Sequence, residues 1–214
     1  MRARRGFSLV ELLVVVAIVG LSAAVAVPSY TELLVDRRVQ DDAESIASLL
    51  REARARAMSR GSAVLVAFSG GGSSGGAFRV YEAVTTMPDI APGPNRVPLG
   101  SCRTPMNWAP LDATNANLWP LETREFTGAR DVSAGLQTVF RNQAAADFDQ
   151  TFLCFTPTGR VLQSATANFN GVAPLAQSAQ FVLRRGSVNH ARRVLVTGAG
   201  TFRVRSTPTN TGIQ

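Results

Sequence analysis

The feature that most constrains this chain is its start. Arg2, Arg4 and Arg5 precede Gly6, and from Phe7 to Val27 every residue is apolar except Ser8, Glu11, Gly20 and Ser22. A run of about twenty apolar residues is what a helix needs to cross the hydrocarbon core of a bilayer, and arginines on one flank hold that end on the cytoplasmic side. Glu11 is the exception. A carboxylate costs roughly 2.5–3.5 kcal/mol at the centre of such a helix, less toward an end, and marks a function. A secretory signal peptide cut after Ala24-Val25-Ala26, or a plain membrane anchor, accounts for the arginines and the apolar run but leaves Glu11 unexplained.

Past Pro28 the helical pattern continues. Val39, Ala43, Ile46, Leu50, Ala53 and Ala57 recur at spacings of three and four and draw one apolar stripe, while Glu52 and Arg56 are spaced for a favourable pair. Arg60-Gly61 supplies the stop. The spacing predicts one helix over 7–60, roughly 80 Å long, whose second half needs a sheet to cover its stripe. That sheet begins with the strands Ala63–Phe68 and Phe78–Ala83, joined by a flexible Ser/Gly connection over Ser69–Gly76. It resumes with Leu136–Phe140, Thr151–Phe155, Arg160–Gln163, Ala179–Arg184, Ala191–Thr197 and Thr201–Arg205. The fold class is α+β: a long N-terminal helix packed on an antiparallel β-sheet head over 61–205, with a flexible tail over 206–214.

The stretch 84–131 reads differently. Seven of the eleven prolines lie between Pro88 and Pro120, together with Trp108, Trp119 and Cys102. It reads as an irregular, surface-lying insertion whose tryptophans pack it onto the sheet. For the cysteines, a Cys102–Cys154 disulfide and two independent small core residues both satisfy the sequence. A bridge would contribute roughly 4 kcal/mol by loop closure.

Gly6-Phe7-Ser8-Leu9-Val10-Glu11 resembles the processing site of type IV prepilins and pseudopilins. The resemblance implies a leader over 1–6, a cut after Gly6 by a prepilin peptidase and methylation of Phe7. It implies a segment over 7–27 that is transmembrane first and filament core later. Glu11 would pair with the freed amine of a neighbouring subunit, since either charge alone in an apolar bundle is expensive and the two together neutralise each other. Pro28 stands where many family members carry proline. The arginine-rich helix end (Arg54, Arg56, Arg60), the first strand, Phe155-x-Pro157-x-Gly159-Arg160 and the terminal Val194–Arg205 hairpin are similar to the GspH/FimT-type minor pilins. Implied partners are other pilins in a filament or tip complex, the prepilin peptidase and the inner membrane. Localisation would be a single-pass inner-membrane protein with a periplasmic head, then a pilus or pseudopilus.

No enzyme is legible. His190 is the single histidine, so no histidine pair or Cys/His zinc cluster can form. No GxSxG elbow occurs, and no acid follows Asp149 near His190, which reads as a solvent-facing turn residue. The sequence therefore implies no catalytic residue, no metal and no cofactor. Charge is more informative. All 22 basic residues are arginine, and the net charge of +7 lies entirely in the acid-free segment from Gln150 onward. Arg184, Arg185, Arg192, Arg193, Arg203 and Arg205 are its candidate contact residues. Some FimT-type pilins bind DNA through a C-terminal Gly-Arg-x-Arg motif, which here reads Phe202-Arg203-Val204-Arg205, with phenylalanine in the glycine's place. Three readings stand: a solvated basic face, a face for an acidic neighbour, and a sequence-independent DNA contact.

Overall fold

The computed structural model describes residues 8–70, 75–85, 97–103, 108–112, 114–127, 136–141, 147–167, 173–175, 178–185 and 190–208. The leader residues, Gly6 and Phe7 lie outside these. The chain divides into two units, Met1–Arg38 and Val39–Gln214. Among the described residues there is one helix, α1 (Leu9–Arg60), which ends where the Arg60-Gly61 signal places it. The strands are β1 (Val64–Gly70), β2 (Gly75–Thr85), β3 (Val97–Pro98), β4 (Leu118–Thr127), β5 (Leu136–Arg141) and β6 (Asp147–Phe148). They continue with β7 (Gln150–Phe155), β8 (Val161–Ser164), β9 (Ala173–Pro174), β10 (Ala179–Arg185), β11 (His190–Val196) and β12 (Phe202–Pro208).

In the first unit the helix leaves its apolar side chains uncovered. Leu9 is 76% and Leu21 73% exposed, and Leu12, Leu13, Val16 and Ile18 are exposed with them. Among the described residues no helix is long and apolar enough to cross a membrane. The described side chains of this run stop at Ala24, short of the Val27 at which the run ends in the sequence.

In the second unit all six residues of the expected stripe are buried, joined by Ala47 and Leu49. They pack against Val64, Val66 and Phe68 of β1, Phe78 and Val80 of β2, Leu153 and Phe155 of β7, Phe181 and Leu183 of β10, and Val194 and Val196 of β11. Strand order is β12-β11-β10-β5-β2-β1-β7-β8-β9, with β3 and β4 pairing β2 and β6 pairing β5. The pairs are antiparallel except at one point: β5 meets β2 in parallel at the single register position Gly75↔Gln137. One ladder position is a weak seam, and aromatic packing bridges it. The Phe181 ring lies 5.3 Å from Phe68, 5.0 Å from Phe78 and 4.9 Å from Phe140, tilted or edge-on. Such pairs contribute about 0.5–1.5 kcal/mol each beyond the area they bury.

The opposite face of β1, β2 and β7 carries a second core. Leu65, Ala67, Tyr81, Ala83 and Phe152 are buried beneath Cys102, Trp108 and Leu118. β1 is therefore apolar at consecutive positions, as a strand covered on both faces must be. Trp108 is fully buried and donates Nε1–H to the Cys102 carbonyl at 3.1 Å. The Tyr81 hydroxyl donates to the Leu111 carbonyl at 3.0 Å. Cys102 and Cys154 form a disulfide with Cα atoms 6.0 Å apart, pinning this cover across 52 residues of sequence. Closing a loop of that size contributes about 4 kcal/mol in the chain-entropy account.

Several expectations are corrected. The stretch 84–131 contains the ten-residue strand β4, aligned with β2 from Gly75↔Thr127 to Ala83↔Leu118 around a bulge. The alternation was hidden because Arg124 and Glu122, not apolar residues, occupy positions opposite the core residues Phe78 and Val80. Arg124 Nη1 donates to the Ser45 carbonyl at 2.8 Å and to Ser45 Oγ at 3.0 Å on α1, and its Nε pairs with Glu122. Trp108 is fully buried, whereas Trp119 is 39% exposed. The expected Ser69–Gly76 connection is shorter, because pairing persists to Gly70↔Gly76. Strand β12 runs past Arg205 to Pro208, into the expected tail. His190 opens β11 and is not a turn residue.

Because Phe181 joins both halves of the sheet, Phe181→Ala should lower stability by about 3–5 kcal/mol. Urea unfolding of the detergent-solubilised chain checks this; a loss below about 1 kcal/mol would mean the rings do not hold the seam.

Candidate assembly site and basic face

At the start of α1 the Ser8 carbonyl accepts the Leu12 N–H at 3.2 Å. Ser8 is thus the N-cap, and Glu11 occupies the third helical position. Ser-x-x-Glu is the spacing of a capping box, and a carboxylate in the first turn also complements the helix dipole. Glu11 is exposed there, beside the uncovered apolar side chains. Pro28 lies inside α1, its side chain outside the described set.

The six C-terminal arginines do not act together; the pleat sorts them. Register pairs Phe181↔Val194↔Val204 and Leu183↔Arg192↔Ser206 put Arg192 and Arg185 on the face toward α1. Both are buried, Arg185 to 5% and Arg192 to 9% exposure. Arg185 Nη2 lies 3.5 Å from Asp42 Oδ2 of the helix, and Arg192 Nη1 donates to Ser206 Oγ. These two are core residues and leave the candidate contact set. Arg184, Arg193, Arg203 and Arg205 take the opposite face, with Arg193 directly across from Arg205 and Leu195 from Arg203. Arg141, across from Gln180, joins them from β5. Sequence reading missed Arg141 because it precedes the acid-free segment. Burial, and then the charges of Arg141 and Arg184, lower the Arg193 guanidinium below the usual arginine range.

A second group that the sequence did not reveal locks the end of α1 onto the sheet. Glu82 of β2 is 1% exposed and accepts Arg56 Nε–H at 2.9 Å and Arg60 Nε–H at 2.6 Å. Arg56 therefore serves Glu82 and not the neighbouring Glu52. The signal was available: Arg56 and Arg60 are four apart and share one helix face. Arg54 Nε donates to the Gly159 carbonyl at 3.1 Å and Nη2 to the Ala199 carbonyl at 3.3 Å, holding two hairpin turns. Gly200, at φ 77°, is the condition for this contact, because a Cβ there would stand 2.4 Å from Arg54 Nε and 2.5 Å from the Gly159 carbonyl oxygen.

A helix with an uncovered apolar start, a carboxylate in its first turn and an antiparallel sheet on its second half is the build of a type IV pilin-like subunit. Residues 1–27 match the prokaryotic N-terminal methylation motif, and residues 42–200 match the family described as type II transport protein GspH. The chain belongs to that family, among the minor pilins and pseudopilins. It is also similar to the type IV minor pilin FimU of Pseudomonas aeruginosa strain PAO1 in two crystal forms. In space group P21 the identity is 15%, over 82% of this chain and 92% of that one, with a TM-score of 0.40. In space group P65 the figures are 14%, 79%, 92% and 0.38.

Two outcomes follow from the packing. Arg56→Ala/Arg60→Ala strands a buried carboxylate and should cost about 3–5 kcal/mol. Glu82→Gln leaves both guanidinium groups free to turn to water and should cost about 1–2 kcal/mol. Urea unfolding measures both, and the reverse order would refute the clamp. Burial raises the Asp42 carboxyl above its ordinary value, opposed by Arg185 and assisted by Asp41. A raised folded-state pKa means that Asp42 favours folding most when protonated, an advantage lost as pH rises through that pKa. Relative to Asp42→Asn, the natural chain should therefore gain stability as pH falls toward 4, and unfolding midpoints across pH decide the sign.

Proposed function

We propose that this chain is a minor pilin: a structural subunit held in the inner membrane through 7–27, cut after Gly6, methylated on Phe7, and built into a type IV pilus at or near its tip. The observation that carries this reading is the uncovered apolar start of α1, from Leu9 to Leu21, with Glu11 in its first turn. A contiguous apolar surface of that kind is not left in water; lipid covers it first and neighbouring helices cover it in a filament. Glu11 then meets the amine that processing creates at Phe7 of a neighbour, and the two ends neutralise each other away from water. The head over 61–205 is the part a filament presents to its surroundings.

A second reading, a minor pseudopilin of a type II secretion system, draws on the type II transport description of the family. The same membrane and assembly chemistry serves both. A DNA contact through Arg203 and Arg205, both exposed on the terminal strand, is the third.

Glu11→Val removes the carboxylate while keeping the apolar surface. Processed protein should accumulate in the membrane and be absent from sheared filaments by immunoblot. Incorporation at the natural level would contradict the proposed pairing.

A further inference from the structure

The face of β10–β12 turned away from α1 has an order that its composition does not show. Arg203 on β12, Arg193 on β11 and Arg184 on β10 each lie one strand and two residues from the next. Diagonal neighbours of this kind stand about 7–8 Å apart, so the row spans about 15 Å. Arg205 flanks it beside Arg193, and Arg141 lies at the far corner with Asp147 opposite in register. Among the described residues no carboxylate pairs with Arg184, Arg193, Arg203 or Arg205, and Arg184 Nε and Arg193 Nε are buried without an acceptor. Charges set side by side in this way repel one another. Edge protection does not account for them, because charges that guard an edge belong on the edge strand, whereas Arg193 and Arg184 lie on β11 and β10.

We propose that this diagonal row is the docking surface for an extended acidic segment of another filament subunit, carrying Asp or Glu at alternate positions. The proposal rests on the reading of the chain as an assembling subunit. Alternate side chains of an extended segment repeat at about 6.6–6.8 Å, close to the spacing of the row. Beside the arginines Val182 and Ala191 are buried and Leu195 is half-buried, so a partner meets this face through the guanidinium groups. Arginine is enriched at protein–protein interfaces. Single-stranded nucleic acid is held on aromatic platforms, and among the described residues this face has no aromatic ring. Edge-to-edge pairing of β12 with β12 of a second copy, centred on Val204, would set Arg203 against Arg205, a like-charge arrangement that disfavours that dimer.

The test uses the full chain in detergent micelles and fluorescence anisotropy with two labelled probes: a twelve-residue alternating Glu-Thr peptide and a twelve-residue oligothymidylate. The peptide should bind at low salt, and Arg184→Gln/Arg193→Gln/Arg203→Gln should weaken it about tenfold or more, with Arg51→Gln unchanged. Arg203→Glu/Arg205→Glu alters only exposed side chains and gives the same direction where the triple variant does not fold. No peptide binding, binding indifferent to these changes, or oligothymidylate binding tighter than the peptide and dependent on the same arginines would each overturn the proposal. Failure here with normal incorporation of the natural chain into filaments removes the docking surface alone. Peptide binding by a chain that never enters filaments removes the assembly reading instead.

Discussion

The stripe Val39–Ala57 is the surface on which the rest of the second unit is organised. Half of its eight buried residues are alanine, beside Val39, Ile46, Leu49 and Leu50, so the strands must supply much of the bulk. They do so with phenylalanine: Phe68, Phe78, Phe140, Phe155 and Phe181 fill the space between helix and sheet. Small residues on the helix and large rings on the strands interdigitate at the density an interior requires. The same rings cross the seam between β2 and β5, where a single ladder position joins the two halves. Packing thus does there what backbone pairing does elsewhere.

Polar contacts then fix what packing leaves free. Apolar burial is non-directional and sets no angle between helix and strands. Glu82 and the carbonyls of Gly159 and Ala199 receive three arginines from the last two turns of α1, and Arg124 returns a bond from β4 to Ser45. These bonds run from charged donors to fixed acceptors, so they define a register between helix and sheet. The disulfide holds the outer cover of the sheet in a similar sense. It fastens a segment with little regular structure to β7, where Trp108 seals the second core.

The helix stripe, its end at Arg60 and the principal strands were legible because each follows a period of 3.6 or 2 in its apolar residues. Strand β4 was not, because a strand whose inward positions carry Arg124 and Glu122, with Pro120 near its start, has no apolar alternation to read. The arginines were legible as a charge excess but not as a site. Sequence gives the alternation within β11 and β12, yet which parity faces the helix depends on register with β10, and only the fold shows that Arg185 and Arg192 turn inward. Arg141 enters the basic face from a distant strand and has no sequence mark. At the N-terminus the motif states more than the fold does, since Gly6 and Phe7 lie outside the described residues and the meaning of Glu11 depends on a neighbour.

The central claim is that the apolar start of α1 is a processed assembly segment, neither a discarded signal nor an unprocessed anchor. The most direct measurement is intact-mass and N-terminal analysis of the chain recovered from membranes of cells that make a prepilin peptidase. The account predicts a chain that begins with N-methylated Phe7 and retains everything after it. A chain that begins at Val27, or one that still carries Met1–Gly6, would contradict it.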